Sequence, residues 1–392
     1  METVWVETRE EFEALAAEWD EAVIASGSHN PFVLAEFLMT WWRHAAAGRA
    51  LRIWTLRDRG QLVAGIPLCR EPIWRRRTFV HIGGAAANLT HGFSLRPELH
   101  VVERLMEALA HRRDWNQLVL PRVLVTTALA AEAQQIAGRR QNRSIVCAVS
   151  AAGTNGLIDL TKGYEVVMAH LPSRLRRYLR RGAREAQRLG PLELQRVGGS
   201  EAVRRLFDEH RIYSTQSCAT RNRRSAFEDD QQAQFFRDLV GRFEAKGRLE
   251  ARKLSAGPTT LAISFAYRCG PGAKWILTSF NPTYASWRPG HLLIEALVRE
   301  AIRQGDPVFD MYYGGELLYK RQWCTTHVPL VRVTLLCNTS LNRVWYGVEQ
   351  QLRINPRLRC VVHSAQRLVG GIARSRKVQT IMGPREIEDS VL

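Results

Sequence analysis

The sequence predicts an α/β protein of two domains, in which mixed sheets are flanked by helices. The chain has 392 residues, and a single hydrophobic core rarely extends beyond about 250 to 300 residues, so we expect two domains. Helical and strand patterns alternate along the chain, and 45% hydrophobic with 24% charged residues is typical of a soluble globular protein. The second half repeats the order of elements in the first, which indicates a duplicated fold.

The first domain is predicted over residues 1–155. It opens with an alternating strand near Val4, followed by a helix from Glu10 to about Val23 that carries apolar residues at helical spacing. Periodicity and turn residues predict the elements that follow. These are a helix over 33–46, a hairpin over 51–68, a helix over 98–111, a strand over 117–120, a helix over 128–136 and a strand over 144–149.

The second domain is predicted over residues 156–337, and residues 338–392 are interpreted as a basic helical C-terminal appendage. Asp229 is a good cap for a helix that extends to about Lys246. The other elements follow from the same patterns. They are a strand over 156–160, a basic helix over 172–189, a helix over 201–215, strands over 248–254, 260–267 and 275–280, a helix over 290–303, and strands over 307–311 and 329–336.

The net charge of +18 is concentrated in the second half. Residues 1–155 hold 18 basic and 16 acidic residues, a net of +2, which leaves 38 basic and 22 acidic residues, a net of +16, for the rest. The second half is therefore expected to meet an anionic partner, whether a phosphorylated donor, an RNA or a membrane surface.

The seven cysteines are scattered, and no CxxC or Cys/His cluster has metal-ligand spacing. We therefore expect neither a disulfide framework nor a bound metal. The acidic, alternating start fits a first strand and not a signal peptide, and no apolar run approaches the ~18 residues of a membrane span. These features predict a cytoplasmic protein.

The most informative segment runs from Arg288 to Lys320. Pro289-Gly290 opens a helix, and the first amides of a helix have no internal partners, so this turn is a site for an anionic ligand. The strand that follows ends in acids and tyrosines, which transfer protons. This order predicts a transferase with a phosphate-bearing donor, although the same residues also suit an ordinary turn before a helix.

An ordered set of short segments resembles the GNAT N-acyltransferase superfamily and, more narrowly, the CelD/BcsL-type acetyltransferase family. The resemblance covers most of the chain and is strongest from Phe235 to Trp323. The segments are Phe236-Arg-Asp-Leu-Val240, Lys246-Gly-Arg-Leu249, Ser279-Phe-Asn-Pro-Thr-Tyr284, Arg288-Pro-Gly-His-Leu-Leu293, Phe309-Asp310, Gly315-Glu316, Tyr319-Lys320 and, near the start, Asn30-Pro-Phe-Val-Leu34 and Gly65-Ile-Pro-Leu68.

This resemblance implies tandem GNAT-like domains, with acetyl-CoA or another acyl-CoA bound by the second. The donor's pantetheine arm would lie between two splayed strands, and its pyrophosphate would meet the turn at the helix start. The residues implied in donor binding are Arg288, Gly290, His291, Leu292, Ser279 and Phe280. The sequence departs from the common pattern because Leu292 stands where a second small residue is usual. A larger side chain there leaves the donor's phosphates less room to approach the backbone.

Candidate catalytic groups cluster after the strand over 307–311. Acyl transfer to an amine needs a base for the amine and an acid for the departing thiolate. Glu316 is the first candidate for the base and Tyr319 for the acid, while Lys320 is a candidate to bind an anion or hold the carboxylate. Asp310 is a candidate too, but it suits a structural role equally well. Tyr312 and Tyr313 are candidate substrate contacts and substitutes for Tyr319.

The basic helix carries Arg177 and Arg181, which we select as candidate contacts to an anionic part of the substrate. Its arginines cover more than one face, so they cannot all meet one ligand. The alternative is a solvated helix whose arginines pair with acids elsewhere.

The sequence thus predicts an acyltransferase that transfers an acetyl or other acyl group to an amine or hydroxyl acceptor, a small molecule or a glycan. Polysaccharide or secondary-metabolite biosynthesis is its expected setting. Two alternatives remain. One is a Fem-type transferase, also a tandem GNAT, that takes its aminoacyl group from tRNA. The other is a non-catalytic subunit that binds anionic polysaccharide or membrane machinery.

Overall fold

The computed structural model describes residues 1–354 except 29, 72–76, 140–143, 221, 223–224, 270–272 and 316. The first half contains the expected elements, with small shifts at their ends. Its strands and helices are β1 (Glu2–Val6), α1 (Arg9–Ala25), α2 (Ala35–Ala45), β2 (Ala50–Leu51), β3 (Ile53–Asp58), β4 (Gln61–Ile66), β5 (Leu68–Arg70), β6 (Thr78–His81), β7 (Phe93–Ser94), α3 (Val101–Ala110), β8 (Gln117–Leu124), α4 (Ala128–Gly138) and β9 (Ile145–Asp159).

The second half also follows the predicted order, with three short elements that were not predicted: helices at Tyr164–His170 and Leu318–Trp323 and a strand at Leu192–Val197. Its elements are α5 (Tyr164–His170), α6 (Ser173–Gln187), β10 (Leu192–Val197), α7 (Ser200–Ala219), α8 (Asp230–Ala245), β11 (Leu249–Ala256), β12 (Thr259–Arg268), β13 (Ala273–Phe280), α9 (Pro289–Arg303), β14 (Val308–Tyr313), α10 (Leu318–Trp323), β15 (Thr326–Cys337) and α11 (Ser340–Ile354). The part of the predicted C-terminal appendage beyond residue 354 lies outside the described residues.

Side-chain caps fix the start of several helices. The Thr8 side chain accepts a hydrogen bond from the Glu11 amide, and the Glu11 carboxylate accepts one from the Thr8 amide, which forms a capping box. The Asp229 carboxylate accepts from the amides of Gln231 and Gln232, as its position in the sequence predicts. These bonds satisfy amides that have no partner inside the helix.

The two halves share one order of elements, so the predicted tandem organisation is confirmed. In the first half β1, α1, α2, β3 and β4 follow one another, and β3 pairs antiparallel with both β1 and β4. In the second half β10, α7, α8, β11 and β12 do the same, with β11 between its two antiparallel neighbours. A short 3₁₀ turn precedes the second helix of each pair, capped by Asn30 in one half and by Ser225 in the other.

One large sheet nevertheless joins both halves. Its strand order within the described residues is β10-β11-β12-β13-β14-β9-β15-β8-β6-β5-β2, while β1, β3, β4 and β7 form a smaller sheet. Strand β9 is continuous through residues 155 and 156, so the strands predicted separately over 144–149 and 156–160 are one. Strand β15 returns from the second half to lie between β9 and β8, where Leu335 faces both Cys147 and Leu118.

The interface between the halves is an aromatic core supported by ion pairs. Trp19, Phe32 and Phe37 of the first half belong to the same buried cluster as Phe235 and Tyr312 of the second. Beside this cluster, one guanidinium nitrogen of Arg248 lies 3.1 Å from both the Asp20 and the Glu36 carboxylates. Burial raises the pKa of Glu36, and the nearby Asp20 charge adds to that effect.

Helix α6 lies close to the start of α9 because a glycine faces the contact. A Cβ atom at Gly182 would collide with the backbone carbonyl oxygen of Trp287, which directly precedes the α9 cap. Leu175, Leu179 and Ala186 form the rest of the buried side of α6. The absence of a side chain at Gly182 therefore sets the distance between the basic helix and the start of α9.

We expect Gly182→Ala to lower the melting temperature, because the collision with the Trp287 carbonyl oxygen forces α6 away from α9. Gly241 in α8 is the matched control, since a Cβ there meets nothing within 4 Å. Gly241→Ala should raise stability by up to about 1 kcal/mol through helix propensity. Thermal unfolding of both variants checks this, and equal effects in the two would contradict the proposed close contact.

Candidate functional site

The large sheet opens between β13 and β14. These strands are parallel, and their register contains one residue pair, Lys274 with Asp310. Strand β14 pairs more extensively on its other side, with β9, from Val308 opposite Asp159 to Tyr313 opposite Asn155. The carboxyl ends of β13 and β14 therefore lie apart, and unpaired strand edges can accept an extended ligand by backbone hydrogen bonding.

A cavity of about 480 Å³ lies beside the carboxyl end of β13; we call it the α9 cavity. It is enclosed by the end of β13, the 3₁₀ turn before α9, the first turn of α9, and helices α6 and α10. The residues that line it are Pro172, Arg174, Leu175, Tyr178, Phe280, Ala285, Arg288, Pro289, Gly290, His291, Leu318, Tyr319 and Gln322.

The start of α9 leaves the Gly290 amide without a partner inside the helix. Arg288 caps the helix in the left-handed conformation, with φ of 59°, and its carbonyl oxygen accepts from the amides of His291 and Leu292. Pro289 has no amide hydrogen, so Gly290 is the first residue of α9 that can donate outward. The positive end of the helix dipole adds to the attraction for an anion.

His291 is held in one tautomer by a neighbouring tryptophan. The Trp323 indole nitrogen donates to His291 Nδ1 over 3.0 Å, and an indole nitrogen can only donate. Nδ1 is therefore an acceptor, and the neutral imidazole carries its proton on Nε2. Burial lowers the pKa of His291 to about 4, and the charge of Arg288 acts in the same direction. His291 is thus a neutral hydrogen-bond donor in the wall of the cavity.

Two arginines and a phenol form the polar wall of the α9 cavity. Arg174 Nε donates to the Tyr178 hydroxyl over 2.7 Å, and the Arg174 and Arg288 guanidinium carbons lie 5.4 and 5.6 Å from the Tyr178 ring centroid. The hydrogen bond from Arg174 lowers the pKa of Tyr178, with the charges of both arginines adding to it. Among the described lining residues no carboxylate is present, so the cavity favours an anionic ligand.

The structure brings together the predicted donor residues Arg288, Gly290, His291 and Phe280 with the predicted acid Tyr319, since all five line the α9 cavity. Two predicted donor residues lie elsewhere.

Leu292 is one of these two, because its side chain is buried in the core between α9 and the sheet. Ser279 is the other: it lies on the opposite face of β13 from Phe280, as neighbouring strand residues do. There its hydroxyl contacts His210 Nδ1 of α7 at 2.8 Å.

Two predicted residues of β14 lie out of reach of the α9 cavity. Tyr312 is fully buried and its ring contacts Phe32 of the first half, so a substrate cannot touch it. Tyr313 is half-buried beneath the Arg122 guanidinium, whose carbon lies 5.1 Å from the ring centroid. The alternation along the strand is interrupted by a bulge at Tyr312, whose φ is 58°. The sequence does not reveal this bulge. Tyr312 and Tyr313, predicted as substrate contacts, therefore lie away from the α9 cavity.

Asp310 faces a different cavity, at the junction with the first half. Its Oδ1 accepts from Asn155 Nδ2 over 2.9 Å and from the Tyr312 amide over 2.8 Å. The second of these bonds supports the bulge. The structure therefore favours the structural alternative for Asp310 that the sequence left open.

Lys320 has a structural position that the sequence did not suggest. Its side chain is fully buried, and Nζ donates to the carbonyl oxygens of Met311 and Tyr313 over 2.6 and 2.7 Å. Lys320 thus satisfies carbonyls at the end of β14 and does not line the α9 cavity. The predicted base, Glu316, lies outside the described residues.

The basic helix contributes different residues from those selected. Arg177 and Arg181 are exposed and line none of the described cavities, whereas Arg174 and Tyr178 line the α9 cavity. Arg174 and Tyr178 were not among the predicted site residues, although their spacing of four places them on one helical face. That face also carries Leu175, one of the apolar residues that mark the packed side of the helix, and this pattern could have identified the two residues.

A second surface of α6 forms an open groove of about 890 Å³ with α5 and α9, the arginine groove. Arg176, Arg180 and Arg184 follow one another along it at intervals of four residues. Within the described part of the chain these three arginines have no ion-pair partner. On the α9 side, Arg299 is held by Glu295 over 3.0 Å.

The described residues include one group with the geometry of a metal site. The ligand atoms of His100, Glu103 and Glu132 lie within 4.8 Å of one another. The Glu132 carboxylate already accepts from the amides of Val102 and Glu103. Across the same residues, no helix combines the length and the apolar character needed to cross a bilayer.

Comparison with known proteins agrees with this geometry. Residues 173–321 match the family model of the acetyltransferase (GNAT) domain. This span contains every residue that lines the α9 cavity except Pro172 and Gln322, its immediate neighbours. This part of the second half is thus similar to the GNAT domain, which uses acyl-CoA as co-substrate, and the prediction of an acyltransferase is confirmed. The sequence has no match among curated proteins.

Solved structures with little sequence identity share the whole fold. FemX is 10% identical with a TM-score of 0.58, over 85% of this chain and 97% of its own. A conserved protein from Bacteroides thetaiotaomicron VPI-5482 is 10% identical with a TM-score of 0.50, over 86% and 100%. The C-terminal domain of a putative lysylphosphatidylglycerol synthetase from Agrobacterium fabrum is 14% identical with a TM-score of 0.50, over 86% and 97%. The predicted fold class is confirmed.

We expect Lys320→Met to destabilise the protein by about 3 kcal/mol, because it leaves two carbonyl oxygens of β14 without their donor. Arg321→Met is the matched control, since Arg321 is the next residue of α10 and is exposed. Urea denaturation measures both. A Lys320→Met variant that is fully stable but inactive would instead support a direct role in the reaction.

We expect His291 to make unfolding pH-dependent. Its folded pKa of about 4 lies below its ordinary value of 6.5, so the unfolded chain binds the proton first and stability falls as pH drops from about 6.5 to 4. Between pH 7 and 5 this loss is about 2 kcal/mol. His291→Gln should lose correspondingly less stability over that interval in chemical denaturation. An unchanged pH slope in the variant would show that His291 titrates normally.

Proposed function

We propose that the chain transfers an acetyl or other acyl group from acyl-CoA to an amine or hydroxyl acceptor, through a ternary complex. The observation that carries the proposal is the α9 cavity, which combines the Gly290 amide at a helix start, two arginines and the diverging ends of β13 and β14. An acyl-CoA presents a pyrophosphate and an extended amide-containing arm. The first suits the arginines and the Gly290 amide, and the second suits an unpaired strand edge.

The reaction joins the acceptor nitrogen or oxygen to the thioester carbonyl carbon and breaks the carbon–sulfur bond. The acceptor loses one proton, and the departing thiolate takes up one. Tyr319 is the proposed acid because it lines the α9 cavity, and Tyr178 is a second phenol in the same wall. Glu316 remains the proposed base. Holding both substrates in one geometry supplies much of the rate enhancement.

The acceptor in this proposal is a small molecule or a glycan, in line with the resemblance to the CelD/BcsL-type family. A polysaccharide or secondary-metabolite setting remains part of the proposal.

A second candidate function is supported by the arginine groove. Three unpaired arginines along α6 form a linear basic surface next to the α9 cavity, which suits a long polyanion. Such a surface would suit a Fem-type transfer from charged tRNA, since a tRNA can spread many phosphates along it and acetyl-CoA cannot.

We expect Arg288→Ala and Arg174→Ala to weaken acetyl-CoA binding about ten-fold each, because each removes a charge that faces the donor phosphates. Arg184→Ala is the matched control: it removes the same charge from the arginine groove and should leave acetyl-CoA affinity unchanged. Isothermal titration calorimetry measures these affinities.

The same variants separate the two candidate functions. Charged tRNA would bind with a steep dependence of log affinity on log salt, and Arg184→Ala would reduce that slope by about one. Salt-dependent tRNA binding that Arg184→Ala weakens in this way, together with no affinity for any acyl-CoA, would contradict the acyl-CoA proposal and support the Fem-type function.

A further inference from the structure

A second cavity lies where the two halves of the chain meet; we call it the junction cavity. Its volume is about 510 Å³, within the range of small-molecule sites. Residues 26–28 and 30 with segments 89–97 and 124–132 of the first half form one side, and the central strands β9, β14 and β15 form the other. On β14, Val308 and Asp310 line this cavity, while Phe309 packs on the α9 side of the sheet. The junction cavity and α9 thus lie on opposite faces of β14.

The wall of the junction cavity contains buried polar groups. Asn155 is 1% exposed and donates through Nδ2 to Asp310, which is itself 4% exposed. Asn155 Oδ1 and His91 Nδ1 have no hydrogen-bond partner within the described residues. A buried polar atom without a partner is costly and uncommon in a folded protein. The lining also includes the hydroxyl groups of Ser28, Ser94 and other side chains from the first half.

The charges of the junction cavity are opposite to those of the rest of the molecule. Its described lining includes two carboxylates, Glu132 and Asp310, and neither lysine nor arginine. This contrasts with a net charge of +18 for the chain and with the two arginines of the α9 cavity. Burial lowers the pKa of His91 to about 4, so this imidazole adds no positive charge near pH 7. The junction cavity therefore disfavours anions and favours uncharged or cationic molecules.

We propose that the junction cavity binds the acyl acceptor, and that this acceptor is an uncharged or cationic small molecule with hydroxyl or amino groups. This inference rests on the proposed acyltransferase function and names its acceptor class. Amino or hydroxyl hydrogens of such a molecule suit the carboxylates and the Asn155 carbonyl oxygen. Apolar lining residues such as Leu157 and Val308 suit its carbon skeleton. The donor and acceptor are thus separated by charge: the anion binds at α9 and the amine or alcohol at the junction.

Binding is tested first, with three probes that share one ring and differ in charge: glucosamine, glucose and glucose 6-phosphate. Ligand-detected NMR of the full chain should show the first two binding at millimolar concentration, with glucose 6-phosphate about ten-fold weaker or absent. Equal or tighter binding of glucose 6-phosphate would overturn the proposal, and so would failure of both other probes to bind.

Variants then assign the binding to the cavity. Ala128→Trp should abolish binding, because Ala128 is an exposed residue of the lining and the indole occupies the opening. Ala131→Trp is the matched control, on an exposed position of the same helix outside the lining. Asp310→Asn, which removes one negative charge from the lining, should weaken glucosamine binding more than glucose binding while both still bind. Thermal unfolding establishes that each variant folds. Probe binding that survives Ala128→Trp would overturn the assignment.

The proposed function and this inference fail in different ways. Ala285→Trp, at an exposed position in the lining of the α9 cavity, should abolish acetyl-CoA binding and leave probe binding intact. With any accepted substrate, Asp310→Asn should raise the acceptor KM without changing the affinity for acetyl-CoA. If no acyl-CoA binds but the probes do, the donor assignment has failed and the cavity remains. If acetyl-CoA binds and acylation proceeds with no effect of Ala128→Trp, the junction cavity is not the acceptor site.

Discussion

The end of β14 is the structural constraint on which the candidate site depends. Beyond its one residue pair with β13, β14 lies apart from that strand. The backbone groups at the end of β14 therefore need other partners. Buried side chains provide them: Lys320 donates to the carbonyls of Met311 and Tyr313, and Asp310 accepts from the Tyr312 amide. The opening in the sheet is therefore a stable feature of the fold, supported by residues that do not line the α9 cavity.

The two halves of the chain contribute unequally to this arrangement. The second half supplies the α9 cavity and most of the positive charge, while the first half supplies one side of the junction cavity. They are held together by β15, which lies between β9 and β8, and by a shared aromatic core with the Arg248 ion pairs. Because the halves share one sheet, the surfaces that form the two cavities have a defined relative position.

Local signals identified several residues of the α9 cavity. A proline and a glycine at the start of a helix act through backbone geometry, which depends on few neighbours, and Gly290 and His291 lie where their sequence context indicates. Residues near the end of β14 were assigned less well. Lys320 and Tyr312 are residue types that often act in catalysis, yet one satisfies buried carbonyls and the other packs against Phe32. Phe32 lies far from Tyr312 in the chain, and the packing of α10 against the end of β14 brings Lys320 to its carbonyls, so no local sequence pattern predicts either contact.

The sequence by itself determined most of the element order, the duplication of that order, the basic character of the second half and the Pro289-Gly290 start of α9, because propensity, periodicity and charge are local properties. Only the tertiary structure decided that β9 continues through residue 155, that β15 joins the two halves, and that Arg174 and Tyr178 reach the α9 cavity. It also decided that Asp310 faces a second cavity of opposite charge. Each of these depends on contacts between residues far apart in the chain, and strand order, bulges and the packing of Gly182 against Trp287 establish those contacts.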